Sequence, residues 1–334
     1  MLKRVRIILT VLLLLATVGV DAQVTTASMA GKVTDASNEP IIGATVQAVH
    51  QPSGSRYGTV TNVDGRYSIQ GMLTGGPYRV EISYIGYQTV IYKDITLQLG
   101  EVYNLNVEMS ESSELLNEVI VTAAKTKFTA EKTGATTNIS SAQITQLPTV
   151  NRSISDIARL SPYANGMSFA GGDGRSTNFT IDGANFNNNF GLSSNLPGGG
   201  NPVSIEAIDE IQIVISPFDV RQTNFIGGGI NAITKSGTNT YKGTAYIYHQ
   251  NENMRGDAID RETILGAREK DQSTTYGFTI GGPIIKNKLF FFANGELQNT
   301  PAIANRWRAS EDGVANADAY ISRATIADLQ KVSD

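Results

Sequence analysis

The chain has 334 residues, a formal net charge of −4, two His and no Cys. Without Cys there is no disulfide framework, no lipid attachment at an N-terminal cut and no zinc site of the usual N/S ligands, and the charge balance gives no footprint for nucleic acid. Its 33 Gly, 13 Tyr and 11 Phe, against one Trp, suit short strands and turns rather than long helices.

Residues 1–22 read as a secretory signal peptide. Lys3, Arg4 and Arg6 form a basic n-region, residues 7–18 an apolar h-region, and Val20-Asp21-Ala22 supplies small residues before a cut. The stretch is too short to be a good membrane anchor. Everything after Gln23 is therefore expected outside the cytoplasm. No later stretch is apolar for long enough to span a bilayer as a helix, so any membrane crossing is expected through strands.

Over residues 27–110 the period is two. Tyr78, Val80, Ile82 and Tyr84 alternate with Arg79, Glu81 and Ser83. Tyr103, Leu105, Val107 and Met109 alternate with polar residues, as do Ala44, Val46 and Ala48. Such alternation predicts antiparallel strands with one buried face. Asp64-Gly65, between residues 59–63 and 66–69, predicts a hairpin turn that needs positive φ. Six or seven short strands make a small β-sandwich. Asn62-Val63-Asp64-Gly65 could suggest a calcium loop, but the later bidentate acid is missing and a turn is the better reading.

Gly31-Lys32-Val33-Thr34-Asp35, the run Pro40 through Val46, the run Thr61 through Tyr67, and Ile85-Gly86-Tyr87 resemble the carboxypeptidase-regulatory-like domain. That resemblance implies a prealbumin-like β-sandwich and no peptidase activity, since no His/Glu zinc constellation accompanies it.

Residues 111–124 are expected to be a polar, acidic linker. It ends in a β-prone run, Glu118, Val119, Ile120, Val121, Thr122 and Ala123, which composition alone makes an ordinary strand. In context the run resembles the TonB box of TonB-dependent transporters, and the resemblance implies strand addition to the periplasmic energy transducer TonB.

Residues 125–239 turn mixed. Ser153-Ile154-Ser155-Asp156 is a capping box opening a short helix that Pro162 closes. Residues 178–183 give a strand and turn, residues 205–214 a short helix running into a strand, and residues 227–237 a glycine-led strand. In this order they resemble the α+β plug domain of the same transporters. Gly198-Gly199-Gly200 and Gly227-Gly228-Gly229 lack the Lys-Ser/Thr of a phosphate loop. Asn185, Phe186, Asn187, Asn188, Asn189 and Phe190 form a polar loop with two aromatics; in the resembled family such loops point outward and touch ligand, while a merely solvated loop is an equal reading.

Residues 240–334 carry three alternating runs: 241–250, 275–282 and 288–297. A short turn, Pro283 to Asn287, joins the last two, and a long charged loop joins the first two. Dyad alternation with short turns on one side and long loops on the other is the pattern of an outer-membrane β-barrel. The run Gly281 through Phe292 resembles barrel strands of Oar-like TonB-dependent transporters. Such barrels take about 22 strands, so the sequence is expected to hold only the start of one, either as a fragment or as a truncated gene product.

The expected fold class is thus mainly β: signal peptide, small prealbumin-like sandwich, α+β plug, then the first barrel strands. The resemblance implies no bond chemistry and no cofactor or metal. It implies active uptake of an unidentified extracellular ligand at the cell outer membrane, with the N-terminal domain periplasmic. The partners it implies are TonB, outer-membrane lipid and a surface lipoprotein. An outer-membrane surface adhesin or assembly protein on the same scaffold is the alternative.

Overall fold

A computed structural model describes residues 25–111, 119–122, 135–147, 149, 152–187, 201–215, 222, 227–254, 258–259, 262–263 and 272–301, of which 119–122, 258–259 and 262–263 are described as backbone. The predicted signal peptide lies outside them.

Eight strands build the first module: β1 (Ala27–Asp35), β2 (Thr45–His50), β3 (Ser55–Val60), β4 (Arg66–Met72), β5 (Gly75–Ser83), β6 (Val90–Leu97), β7 (Val102–Asn104) and β8 (Val107–Met109). One sheet runs β4-β1-β7 with β8 also on β1, and the other runs β3-β2-β5-β6. The alternating residues meet between the sheets. Val46, Ala48, Tyr78, Val80 and Ile82 are fully buried together with Met29, Val33 and Met109. Each large side chain so buried contributes roughly 1.5–3 kcal/mol. The phenol of Tyr78 donates to the Leu73 carbonyl at 2.7 Å and that of Tyr67 to the Leu105 carbonyl at 2.8 Å, so both rings enter the core with their hydroxyls satisfied. Tyr84, by contrast, ends its run exposed.

Two details differ from the sequence expectation. The alternating run of residues 103–109 is two strands, β7 and β8, because Leu105 donates its N–H to the Ala30 carbonyl and Asn106 accepts from Lys32 through its side chain. Gly31 lies opposite, where any side chain would collide with the Leu105 carbonyl. The Asp64-Gly65 turn is not a hairpin. Gly65 has φ +71 as expected, and Asn62 Oδ1 accepts from the N–H groups of Asp64 and Arg66. Yet β3 pairs with β2 in one sheet and β4 with β1 in the other. The turn carries the chain across the sandwich, pinned by buried Thr61, whose hydroxyl donates to the Ile41 carbonyl and accepts from the Ala44 N–H.

A ninth strand, β9 (Val119–Thr122), adds to the open edge of β6. After it comes a mixed module: β10 (Thr136–Ser140), α1 (Ser141–Gln146), α2 (Ile154–Ala158), the small hairpin β11 (Ala164–Asn165) and β12 (Ser168–Phe169), β13 (Asn178–Ile181), β14 (Ala184–Asn185), β15 (Ile208–Val214) and β16 (Gly229–Thr234). Its sheet order is β10-β15-β16-β13-β14, antiparallel except for the parallel pair β13 and β16. Ile154 and Ile157 of α2 pack with Phe169, Phe179, Ile211, Ile213 and Ile230 in one core. Ser153 caps α2 as the sequence predicts, accepting from the Asp156 N–H at 3.2 Å. Gly228 is needed where it stands, because a Cβ there would lie 2.6 Å from the Phe169 ring.

The last strands are β17 (Lys242–Gln250), the short pair β18 (Ala258–Ile259) and β19 (Glu262–Thr263), β20 (Ser273–Ile285) and β21 (Leu289–Asn299). The long ones form a sheet in the order β17-β20-β21. The turn between β20 and β21 is tighter than expected, as Pro283 to Ile285 extend the strand and residues 286–288 make the turn. Tyr276, Phe278 and Ile280 of β20 form an exposed apolar row, as expected for strands of the outer-membrane type.

Candidate functional site

The six-residue run proposed from sequence to meet a partner strand falls partly within the described residues. Val119, Ile120, Val121 and Thr122 form β9, parallel to β6, with Val90 opposite Val119 and Lys93 opposite Thr122. Glu118 and Ala123 lie outside the described residues. Strand β9 is the terminal strand of its five-stranded sheet, so one of its edges is paired and the other is not paired among the described residues.

The mixed module brings together motifs that stand far apart in sequence. Asp182, in the Ile-Asp-Gly turn, accepts from the Thr234 N–H at 2.8 Å with one carboxylate oxygen and from the Thr234 hydroxyl at 2.7 Å with the other. Its φ of 49 is the left-handed region that a short polar side chain tolerates. Asn231 accepts from the Thr180 hydroxyl and donates to Gln212. The Lys235 ammonium donates to the Glu206 carbonyl at 2.9 Å, and the Glu206 carboxylate pairs with Arg152 at 2.9 Å. The Ile-Asp-Gly, Ile-Glu-x-Ile and Gly-Gly-x-Ile-Asn segments are thus one hydrogen-bonded unit whose polar residues fix the strand register.

A second polar cluster was not foreseen. The Gln98-to-Glu101 turn of the sandwich meets β10 and β15. The carboxylate of Glu210 accepts from the Leu99 N–H, while the side-chain amides of Asn138 and Gln212 donate to the Leu99 carbonyl. Leu99, Glu210 and Gln212 are all buried. Burial pushes the Glu210 carboxyl up to about 7; the Leu99 N–H and Asn138 favour its charged form, and nearby Asp209 and Glu101 oppose it. In sequence, residues 205–214 read only as a short helix running into a strand, with nothing to point to the distant Leu99 turn.

Of the loop proposed to touch ligand, Asn185, Phe186 and Asn187 are described and Asn188, Asn189 and Phe190 are not. Asn187 is turned inward: its side chain accepts from the Phe179 N–H and donates to Asn178. Phe186 packs against the module's core, which leaves Asn185 as the exposed member. Among the described residues no group of three or more His, Asp or Glu could hold a metal ion, and Asn62 Oδ1 is occupied by its own turn. No helix among them is long and apolar enough to cross a membrane, which says nothing about strands.

Comparison with known proteins finds likenesses for two parts of the chain. The carboxypeptidase regulatory-like domain family matches residues 28–110, and the outer membrane beta barrel domain family matches residues 233–307. The TonB-dependent transporter Oar of Myxococcus xanthus is 28% identical over 284 residues, covering 79% of this chain and 26% of its own length. The chain is similar to that transporter over this span. It spans about a quarter of that relative's length. Among solved structures, the siderophore receptor PirA from Acinetobacter baumannii is 21% identical, covering 50% of this chain and 24% of its own, with a TM-score of 0.38. PirA from Pseudomonas aeruginosa is likewise 21% identical, covering 51% and 28%, with a TM-score of 0.39. The matched barrel family is an outer-membrane one, and the matched relative is named a transporter.

Proposed function

We propose that this chain belongs to a receptor that takes up an extracellular ligand actively across the outer membrane. In this reading residues 27–110 are a periplasmic sandwich and residues 111–124 a linker carrying the TonB box, Glu118 to Ala123. Residues 125–239 are the plug and residues 240–334 enter the barrel. TonB pairs with the box as an added strand, and proton-motive force at the inner membrane drives remodelling of the plug. The loop of residues 185–190 touches ligand, with Asn185 its exposed described member.

The observation that carries the reading is an order of parts. A sandwich, a short strand at a sheet edge among the described residues, a mixed sheet knit by Asp182 and Thr234, and strands with an exposed apolar row follow one another along the chain. The same order accompanies the likeness to a TonB-dependent transporter over 284 residues.

A strain lacking the gene would be grown with peptides, glycans, ferric siderophores or cobalamin as the limiting nutrient. Loss of growth on one of them, restored by the gene only where TonB is present, is the expected result. Unchanged growth on all four together with lost surface attachment would overturn it in favour of an adhesin.

A further inference from the structure

Strand β9 is placed by the sandwich. It runs parallel to β6, which already pairs on its other side with β5. The chain passes the start of β6 once before, where the Gln88 N–H donates to the Ser110 carbonyl at 2.9 Å and Tyr87 bridges Glu111. It returns to that place at Val119, opposite Val90. A tether this short keeps the segment at an effective concentration on the order of millimolar beside its dock. Four paired residues, Val119 to Thr122 against Val90 to Lys93, hold the segment there. The dock is stiff, because Val90, Ile95 and Leu97 of β6 are anchored in the sandwich core and Ile91 is buried as well.

We propose that the β6 edge of the sandwich is a docking site for residues 119–122, so that the sandwich presents this segment as a preformed edge strand with one side open among the described residues. An arriving partner strand then adds to the open side and extends the five-stranded sheet to a sixth strand, without first ordering the segment. Placing TonB as that partner rests on the function proposed above. The docking itself does not.

The absence of Cys makes the test clean. In the purified 334-residue chain, V90C with V119C places two thiols at opposed positions. K93C with V119C is out of register by about 10 Å, beyond disulfide reach. Under mild oxidation the opposed pair is expected to cross-link severalfold more than the offset pair. Equal yields, or none from the opposed pair, would overturn the docking. The locked chain is then mixed with the periplasmic domain of TonB. Binding kept in the locked form supports presentation; binding lost on locking and regained on reduction overturns it. Selective cross-linking with no TonB binding in either form would leave the dock standing and sink the TonB-box reading instead.

Discussion

The backbone N–H of Leu99 donates to both carboxylate oxygens of Glu210, each at 3.1 Å, across 111 residues of sequence. One peptide unit of the sandwich is thereby held from both ends, since its carbonyl accepts from Asn138 and Gln212. The acid at the centre is buried, and burial makes it a poor place for a charge.

That acid should make stability depend on pH. Its ordinary value is 4.5 and burial raises it to about 7 in the folded chain. The folded state therefore binds the proton more tightly than the unfolded one. Its stabilisation is fully present below pH 4.5 and is lost as pH rises through about 7. A fall on the order of 1–3 kcal/mol is expected across that window. Glu210→Gln keeps an acceptor for Leu99 and cannot titrate, so its urea midpoint should stay flat where the parent's declines. Parallel pH profiles for the two chains would refute the assignment.

Asp182 should be worth more than its exposed position suggests. Asp182→Ala removes two acceptors from Thr234 and places alanine at a φ of 49, so a loss of roughly 1–3 kcal/mol is expected. Asp182→Asn, which tolerates the left-handed backbone and keeps one oxygen, should lose less. Thermal melts of the three chains rank them; equal midpoints for alanine and aspartate would mean the clasp contributes nothing.

Residues 27–110 should fold alone. Their core closes between two sheets of the same span, from Ala27 to Met109. Circular dichroism of that segment should show β signal and a cooperative melt, and a broad transition with little β signal would speak against an independent domain.

Proline tests the segment in β9. It lacks an N–H and cannot pair in a ladder. Under the function proposed above, Val119→Pro or Val121→Pro should abolish energised uptake while membrane level and ligand binding stay normal, because the strand sits at a sheet edge among the described residues. If abundance falls with uptake, the segment is instead a structural strand.

Sequence made the periodic parts legible. Ala44, Val46, Ala48, Tyr78, Val80 and Ile82 showed their buried face because only one face of each strand meets a core. The Asp64-Gly65 turn was read correctly in its backbone and wrongly in its topology. Positive φ at Gly65 suits a hairpin and a sheet-crossing corner alike, and the residue that decides, Thr61, acts through partners about twenty positions upstream. Glu210 was illegible for the same reason on a longer scale. Strand β15 is buried almost throughout, but nothing in its own sequence points to the distant Leu99 turn that Glu210 and Gln212 meet. The inward turn of Asn187 toward Asn178 was hidden because a run of asparagines carries no direction.

Among the described residues, strand β10 stands at the edge of its sheet and is the first paired strand after residues 119–122. Mechanically it is a fuse. Tension entering the chain from that side arrives at Thr136, where the ladder with β15 begins opposite Val214 and continues rung by rung to Ser140. Because β10 has a neighbour on one side only among the described residues, it can peel away while β15, β16 and β13 keep their own pairings. Peeling would also uncover Ile139 and take Asn138 away from the Leu99 carbonyl. A single small rupture would thus loosen the sheet's edge and the sandwich's anchor together, and a pulling experiment on this chain would read it as one early step well below the force that unfolds the rest.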